Sequence, residues 1–329
     1  MKTVDIHTHL LNPNVRFDRL FDKITIRFFA KSLGLSPASL KSAPFEAYLE
    51  AMARSIEQSR YVEKTCLFGV DSRLDERGEE TDRDGTVCAM TEDVLAAAAR
   101  YPQQFIPFLS VNPRRPGALE LIDEYVEKGC RGAKFLQNYW GVDLNDKRFL
   151  PYYEKLKAHN IPLIIHIGSE YSINSFAAFE RINMLDLPLA SGVTVIAAHM
   201  GLGRIIHKLP FWRNLSKNPR YYDDDYFKLL EKLTTHDNLY ADIAAILAPL
   251  RARALRHLAD HREVHHKILF GTDYPVPFSI RVNTYDLPSS ARKRINQQAN
   301  PFDRYAEAIL EYFPEDSPLY SNYHKVLQV

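Results

Sequence analysis

Eight short apolar runs recur along the chain with helical patterns between them, and this alternation narrows the possible folds more than any other feature. The runs cover residues 3–9, 64–70, 105–111, 132–136, 162–167, 193–198, 239–243 and 267–270. Most are continuously apolar rather than alternating, as expected of parallel strands covered on both faces. Amphipathic stretches at 45–59, 91–101, 116–128, 148–159, 226–234 and 249–261 read as helices, with a closing one around 302–312. Thr91, followed by acids, reads as a helix cap. A β-then-α order repeated eight times predicts an α/β chain folded as a (β/α)8 TIM barrel, not an open doubly wound sheet. The 329 residues suit one domain over 1–329, a barrel of about 250 residues with insertions.

Three connections exceed an ordinary βα loop: residues 10–44 after strand one, 71–90 after strand two and 274–301 after strand eight. The first contains the aromatic stretch FDRLFDKITIRFF, and the second is highly charged. Long insertions on one barrel rim are expected to cap a substrate.

Composition excludes several classes. A net charge of +1 gives no electrostatic basis for binding nucleic acid or an anionic membrane. No apolar stretch is long enough to span a bilayer, and no basic segment followed by an apolar run marks a signal peptide. Cys66, Cys88 and Cys130 form no CxxC pair, which points to a reducing, cytoplasmic setting.

The chemistry is concentrated at strand ends. In VDIHTHL (4–10), residues two apart share a face, so His7 and His9 point together and can bind one metal. Strand five ends in His166, strand six in His199 and strand eight in Asp273, while strand four carries Lys134. Catalytic groups of this architecture sit at strand C-termini, so these residues meet at one rim. Imidazoles with a carboxylate suit a divalent transition metal, most often zinc. Such a metal lowers the pKa of bound water toward about 7, and a carboxylate touching metal and water can take the proton.

The stretches DIHTH (5–9), RGAKF (131–135), IPLIIHIG (161–168), AAHMG (197–201) and GTDYP (271–275) give the chain a resemblance to the amidohydrolase superfamily. More narrowly, it resembles the amidohydrolase-related (amidohydrolase 2) branch of metal-dependent TIM-barrel hydrolases and decarboxylases. The resemblance implies His7, His9, His166 and Asp273 as metal ligands. It implies His199 as a second-metal ligand or a free proton donor and electrophile. Lys134 would be an ordinary lysine beside one Zn2+, or a carbamylated bridge between two metals. Relatives often follow this lysine with a His-Pro pair, whereas this chain continues Phe135-Leu136-Gln137.

Two reactions remain open. In the first, activated water attacks an amide, ester or lactone; Asp273 moves the proton and His199 stabilises the oxyanion. The second is non-oxidative decarboxylation of the aminocarboxymuconate semialdehyde decarboxylase type, with His199 or Asp273 handling the proton at carbon. A purely structural metal barrel would instead have a closed shell and no pocket. Asn138, Tyr139 and Trp140, after strand four, favour a lined pocket for a small molecule. Arg204 and Arg281 are candidate partners for a substrate carboxylate. The C-terminal YSNYHKVLQV either packs on a second copy in a homodimer or covers the barrel.

Other signals carry less. HREVHH (261–266) lacks a glutamate directly after its first histidine, so it reads as a solvated helix end rather than a zinc-protease helix. GLGR (201–204) lacks the third glycine of a dinucleotide fingerprint and reads as a sharp turn after His199. Asp223–Asp225 reads as a solvated helix start, and Cys66 as core.

Overall fold

The computed structural model describes residues 2–13, 30, 35, 38, 44–81, 89–170, 173, 175–203, 219, 222–249 and 251–328. All eight expected strands are present: Thr3–His9 (β1), Val62–Phe68 (β2), Phe105–Pro107 (β3), Ala133–Phe135 (β4), Leu163–Ile165 (β5), Val195–Ala197 (β6), Leu239–Asp242 (β7) and Ile268–Leu269 (β8). Every ladder is parallel, in the orders β1-β2-β3 and β4-β5-β6-β7-β8. Backbone hydrogen bonds join the two sheets at both edges. Leu109 N–H reaches Gly132 O and Lys134 N–H reaches Leu109 O. At the other edge, Ile6 N–H reaches Phe270 O and Asp273 N–H reaches His7 O. This is the (β/α)8 barrel that the alternation predicts.

The described helices are Pro44–Glu57 (α1), Thr91–Arg100 (α2), Ala118–Glu127 (α3), Gln137–Trp140 (α4), Leu150–Ala158 (α5), Asp186–Ser191 (α6), Asp224–Thr235 (α7), Leu255–Asp260 (α8), Ile280–Asn283 (α9), Ser289–Gln297 (α10), Pro301–Leu310 (α11) and Tyr323–Val326 (α12). Several differ from expectation for identifiable reasons. Met90, not Thr91, caps α2: the Asp93 carboxylate accepts Met90 N–H at 3.2 Å, while the Thr91 hydroxyl donates to Ser110 O. The helix expected from 249 starts only at Leu255, because Arg251 turns inward and donates to Leu202 O at 2.6 Å. The stretch 274–301 is not a plain loop but carries α9 and α10. Most of 10–44, including the aromatic stretch, lies outside the described residues, as do 82–88.

Two apolar layers hold the barrel. The outer one packs strands against helices, and the inner one contains Val4, Ile6, Cys66, Phe68, Phe108, Ile164, Ile196 and Leu269. Burying each large apolar side chain contributes about 1.5–3 kcal/mol. The C-terminal segment covers the barrel floor of its own chain: Tyr323, Val326 and Leu327 join the inner layer. Asn322 Nδ2 ties the segment to His265 O and Ile268 O, just before and within β8.

An irregularity in β1 shapes the site. Asp5 pairs with Thr65 but Thr8 pairs with Leu67, so three steps along β1 match two along β2. The bulge changes the facing parity. Val4 and Ile6 therefore face the interior below it, and His7 and His9 face the same interior above it.

Gly168 follows His166 with φ +97°, and a Cβ there would lie 2.5 Å from Leu202 O. Gly168→Ala is expected to destabilise the protein by more than about 1 kcal/mol, read as a lower denaturation midpoint. No helix among the described residues is long and apolar enough to cross a membrane.

Candidate metal centre

Each buried histidine at the mouth has one ring nitrogen tied to an oxygen that can only accept. His7 Nδ1–H donates to Asp242 Oδ2 at 2.8 Å. His166 Nε2–H donates to Gly168 O at 3.0 Å, and His199 Nδ1–H to Ala244 O at 3.1 Å. In a neutral imidazole the other nitrogen then carries a lone pair. The rings are neutral, because burial drives all three far below the usual imidazole range, assisted by the charge of Lys134 at His7 and His166 and of Arg251 at His199. The acceptors left over are His7 Nε2, His166 Nδ1 and His199 Nε2.

Asp273 closes the cluster. Its Oδ1 lies 3.4 Å from His7 Nε2 and 3.2 Å from His9 Nε2, and its Oδ2 lies 4.0 Å from His199 Nδ1. Its backbone is left-handed, at φ 66°. Asp tolerates that region better than most residues, and the turn aims the carboxylate inward. Burial pushes the carboxyl up, but the contact with His9 and the nearby imidazoles outweigh it and hold it below the usual range. Asp5 braces the same edge, accepting from His7 N–H, Thr272 N–H and the Thr272 hydroxyl.

Among the described residues, His7 Nε2 and Asp273 Oδ1 are buried polar atoms with no hydrogen-bond partner. Two facing lone pairs repel in a low-dielectric interior, so this arrangement suits a cation between them. His7, His9 and Asp273 form one set with ligand atoms close enough to hold a metal. His7, His199 and Asp242 form a second, but the Asp242 oxygens already accept hydrogen bonds, which makes the first set the better fit. His166 belongs to neither set; its ring centroid is 4.8 Å from that of His199, and its Nδ1 is 3.7 Å from Glu170 Oε2. His9 is the open side of the cluster, with a side chain 16% exposed.

The other expected residues take different places, with Lys134 close enough for its charge to act on His7 and His166. Lys134 is fully buried, with Nζ 5.3 Å from the Phe68 ring centre. Tyr139 and Trp140 lie on α4 directly after β4, both buried. Trp140 packs its ring on Phe135 and donates its indole N–H to Asp71 O at 2.8 Å. Trp140→Phe leaves that buried carbonyl without its donor and is expected to cost about 1–3 kcal/mol of stability, measured by denaturant unfolding. Asn138 Nδ2 donates to Glu180 Oε1. Arg281 is exposed on α9, and Arg204 lies outside the described residues. HREVHH is a short helical turn before β8, where His261 and His265 cap carbonyls of α8. Asp225 departs from the solvated expectation: it is buried and accepts from Arg181 and from Ile182 N–H. His199, Met200 and Gly201 all have positive φ, confirming the sharp turn expected there.

Sequence reasoning missed Asp242, Glu170 and Arg251. Asp242 ends β7, at the rim where the other site residues gather. Its signal was its position at a strand C-terminus, shared with the residues that were found.

The Amidohydro_2 family model, described as Amidohydrolase, matches residues 4–282. Among curated proteins, no sequence matches the chain. The fold is similar to an uncharacterized TIM-barrel protein from Bordetella bronchiseptica, at 20% identity and TM-score 0.56, covering 94% of this chain and 99% of that one. It is similar to a probable 2-pyrone-4,6-dicarboxylic acid hydrolase from Acinetobacter baumannii, at 13% identity and TM-score 0.53, covering 99% of each chain. It is also similar to IDCase from Metarhizium anisopliae, at 15% identity and TM-score 0.54, covering 99% of this chain and 97% of that one. With the motif order matched along most of its length, the chain belongs to the amidohydrolase-2 family of enzymes, which includes hydrolases and decarboxylases.

Proposed function

We propose that this chain is a metal-dependent hydrolase that cleaves an amide, ester or lactone of a small acidic or aromatic substrate. His7, His9 and Asp273 would hold one divalent cation, with His166 completing the set; the nitrogen-rich donors favour Zn2+. The observation that carries this reading is that His7 Nε2 and Asp273 Oδ1, 3.4 Å apart, are both buried without a hydrogen-bond partner. A cation there would supply Lewis acidity and lower the pKa of water toward about 7.

The chain's own groups then divide the work. Asp273 is ionised, so it accepts the water proton and delivers it to the leaving group. His199 is neutral with Nε2 left as an acceptor, so it can accept a hydrogen bond from the attacking water or from the substrate and orient it. Lys134 places a buried positive charge beside the site, which favours an anionic substrate. Phe68 packs edge-on to His7 and His9 and keeps the inner side dry.

Non-oxidative decarboxylation is the second reading. Its support is the charge of Lys134 beside the site, which would favour a carboxylated substrate, with the proton for carbon drawn from water through Asp273. The test is a screen of esters, lactones and amides beside carboxylated aromatic and muconate-like acids, with carbon dioxide monitored. Turnover of the first group without carbon dioxide supports hydrolysis. Carbon dioxide from the acids replaces it with a carboxy-lyase. Turnover that persists undiminished after complete metal removal would end both metal-dependent readings.

A further inference from the structure

Asp242 sits at the end of β7, fully buried, and both of its oxygens are committed. Oδ2 accepts His7 Nδ1–H at 2.8 Å. Oδ1 accepts the backbone N–H of His199 at 2.8 Å and that of Ala244 at 3.0 Å. Ala244 O in turn accepts His199 Nδ1–H at 3.1 Å. One carboxylate thus touches the imidazole of His7, the backbone of His199 and the residue that fixes the His199 ring. His199 needs that support: its φ of 61° lies in the left-handed region, which costs a non-glycine residue about 1–2 kcal/mol.

We propose that Asp242 is a positioning residue that sets two histidines at once: it fixes His7 in the Nδ1–H form, so that Nε2 faces the cation site, and it holds His199 in its turned conformation beside that site. The proposal rests on the metal reading above. A carboxylate behind a ligating imidazole orients the ring and raises its basicity. Here the same carboxylate also places His199, so the two are set together.

The alternative is a polar tie that only stabilises the top of β7. Asparagine separates the two. Its side chain keeps the shape but has one acceptor oxygen and one donor amide. If the oxygen faces His199 and Ala244, the amide N–H faces His7 Nδ1 and forces the proton onto Nε2, toward the cation site. If the oxygen faces His7, the amide N–H opposes two backbone donors. Neither orientation serves both partners.

The experiment compares wild-type protein and Asp242→Asn by Zn2+ affinity and by the visible spectrum with Co2+ substituted. The expected result is affinity about 10–100-fold weaker and an altered Co2+ spectrum in a folded variant. Wild-type affinity together with a wild-type spectrum would overturn the proposal. Should the variant not fold, nitrogen-15 NMR of the zinc-loaded wild type decides: His7 must carry its proton on Nδ1 and coordinate through Nε2. The reverse assignment overturns the proposal. If the wild type itself takes up no zinc, the metal reading fails instead; the His7 tautomer in the metal-free protein then still reports on Asp242.

Discussion

His9→Ala is expected to abolish stable metal binding while leaving the barrel folded. His9 is the partly exposed member of the cluster, and its ring packs on Phe68 at the open side. Truncation there opens space to solvent rather than a sealed cavity, so the stability cost should stay near the ~1 kcal/mol typical of point substitutions. The loss of function is far larger. Removing a hydrogen-bond partner of a ligand already costs about 10–100-fold in metal affinity or activity, and removing a ligand should exceed that. His7 is a poorer probe, because its full burial and its bond to Asp242 mix metal binding with folding. Metal content and circular dichroism of His9→Ala test this expectation. A folded variant with full metal content and full activity would contradict it.

The second large effect is on turnover. Asp273→Asn keeps the shape of the side chain but removes its charge and its ability to accept a proton. General acid–base groups contribute about 10²–10⁴-fold to rate, and kcat should fall by that range on whichever substrate the wild type turns over. Metal binding should weaken without vanishing, since His7, His9 and His166 remain and amide oxygen still binds cations. An unimpaired kcat would remove Asp273 from proton transfer, whatever its part in holding the metal.

The sequence made the barrel legible because parallel strands buried on both faces leave continuous apolar runs. β1 matches to the residue, β2 lies two residues earlier than its run, and the other strands fall within theirs. α6 escaped notice because it is only six residues long with Pro188 inside it, which leaves no helical period to read. The late start of α8 was equally hidden, since nothing local shows that Arg251 would turn inward.

The site was legible to the extent that it lies at strand ends. His7, His9, His199 and Asp273 converge as strand position predicts. The reason that His7 faces inward is more subtle, because a plain alternation would put Ile6 and His7 on opposite faces. The bulge between Asp5 and Thr8 resolves this, and it exists only in the pairing with β2. Asp242 was not legible as a partner of His7, because the two are 235 residues apart and joined only by the closing of the barrel. Trp140 shows the reverse case: an aromatic residue near a rim suggests a substrate contact, but its indole N–H is committed to Asp71 O.

The most direct test is the metal content of protein purified without chelator and without added metal. About one divalent ion per chain, zinc or a similar metal, held by the His7–His9–Asp273 cluster, is the expected result. No metal, with none taken up when Zn2+ or Co2+ is supplied, would contradict it.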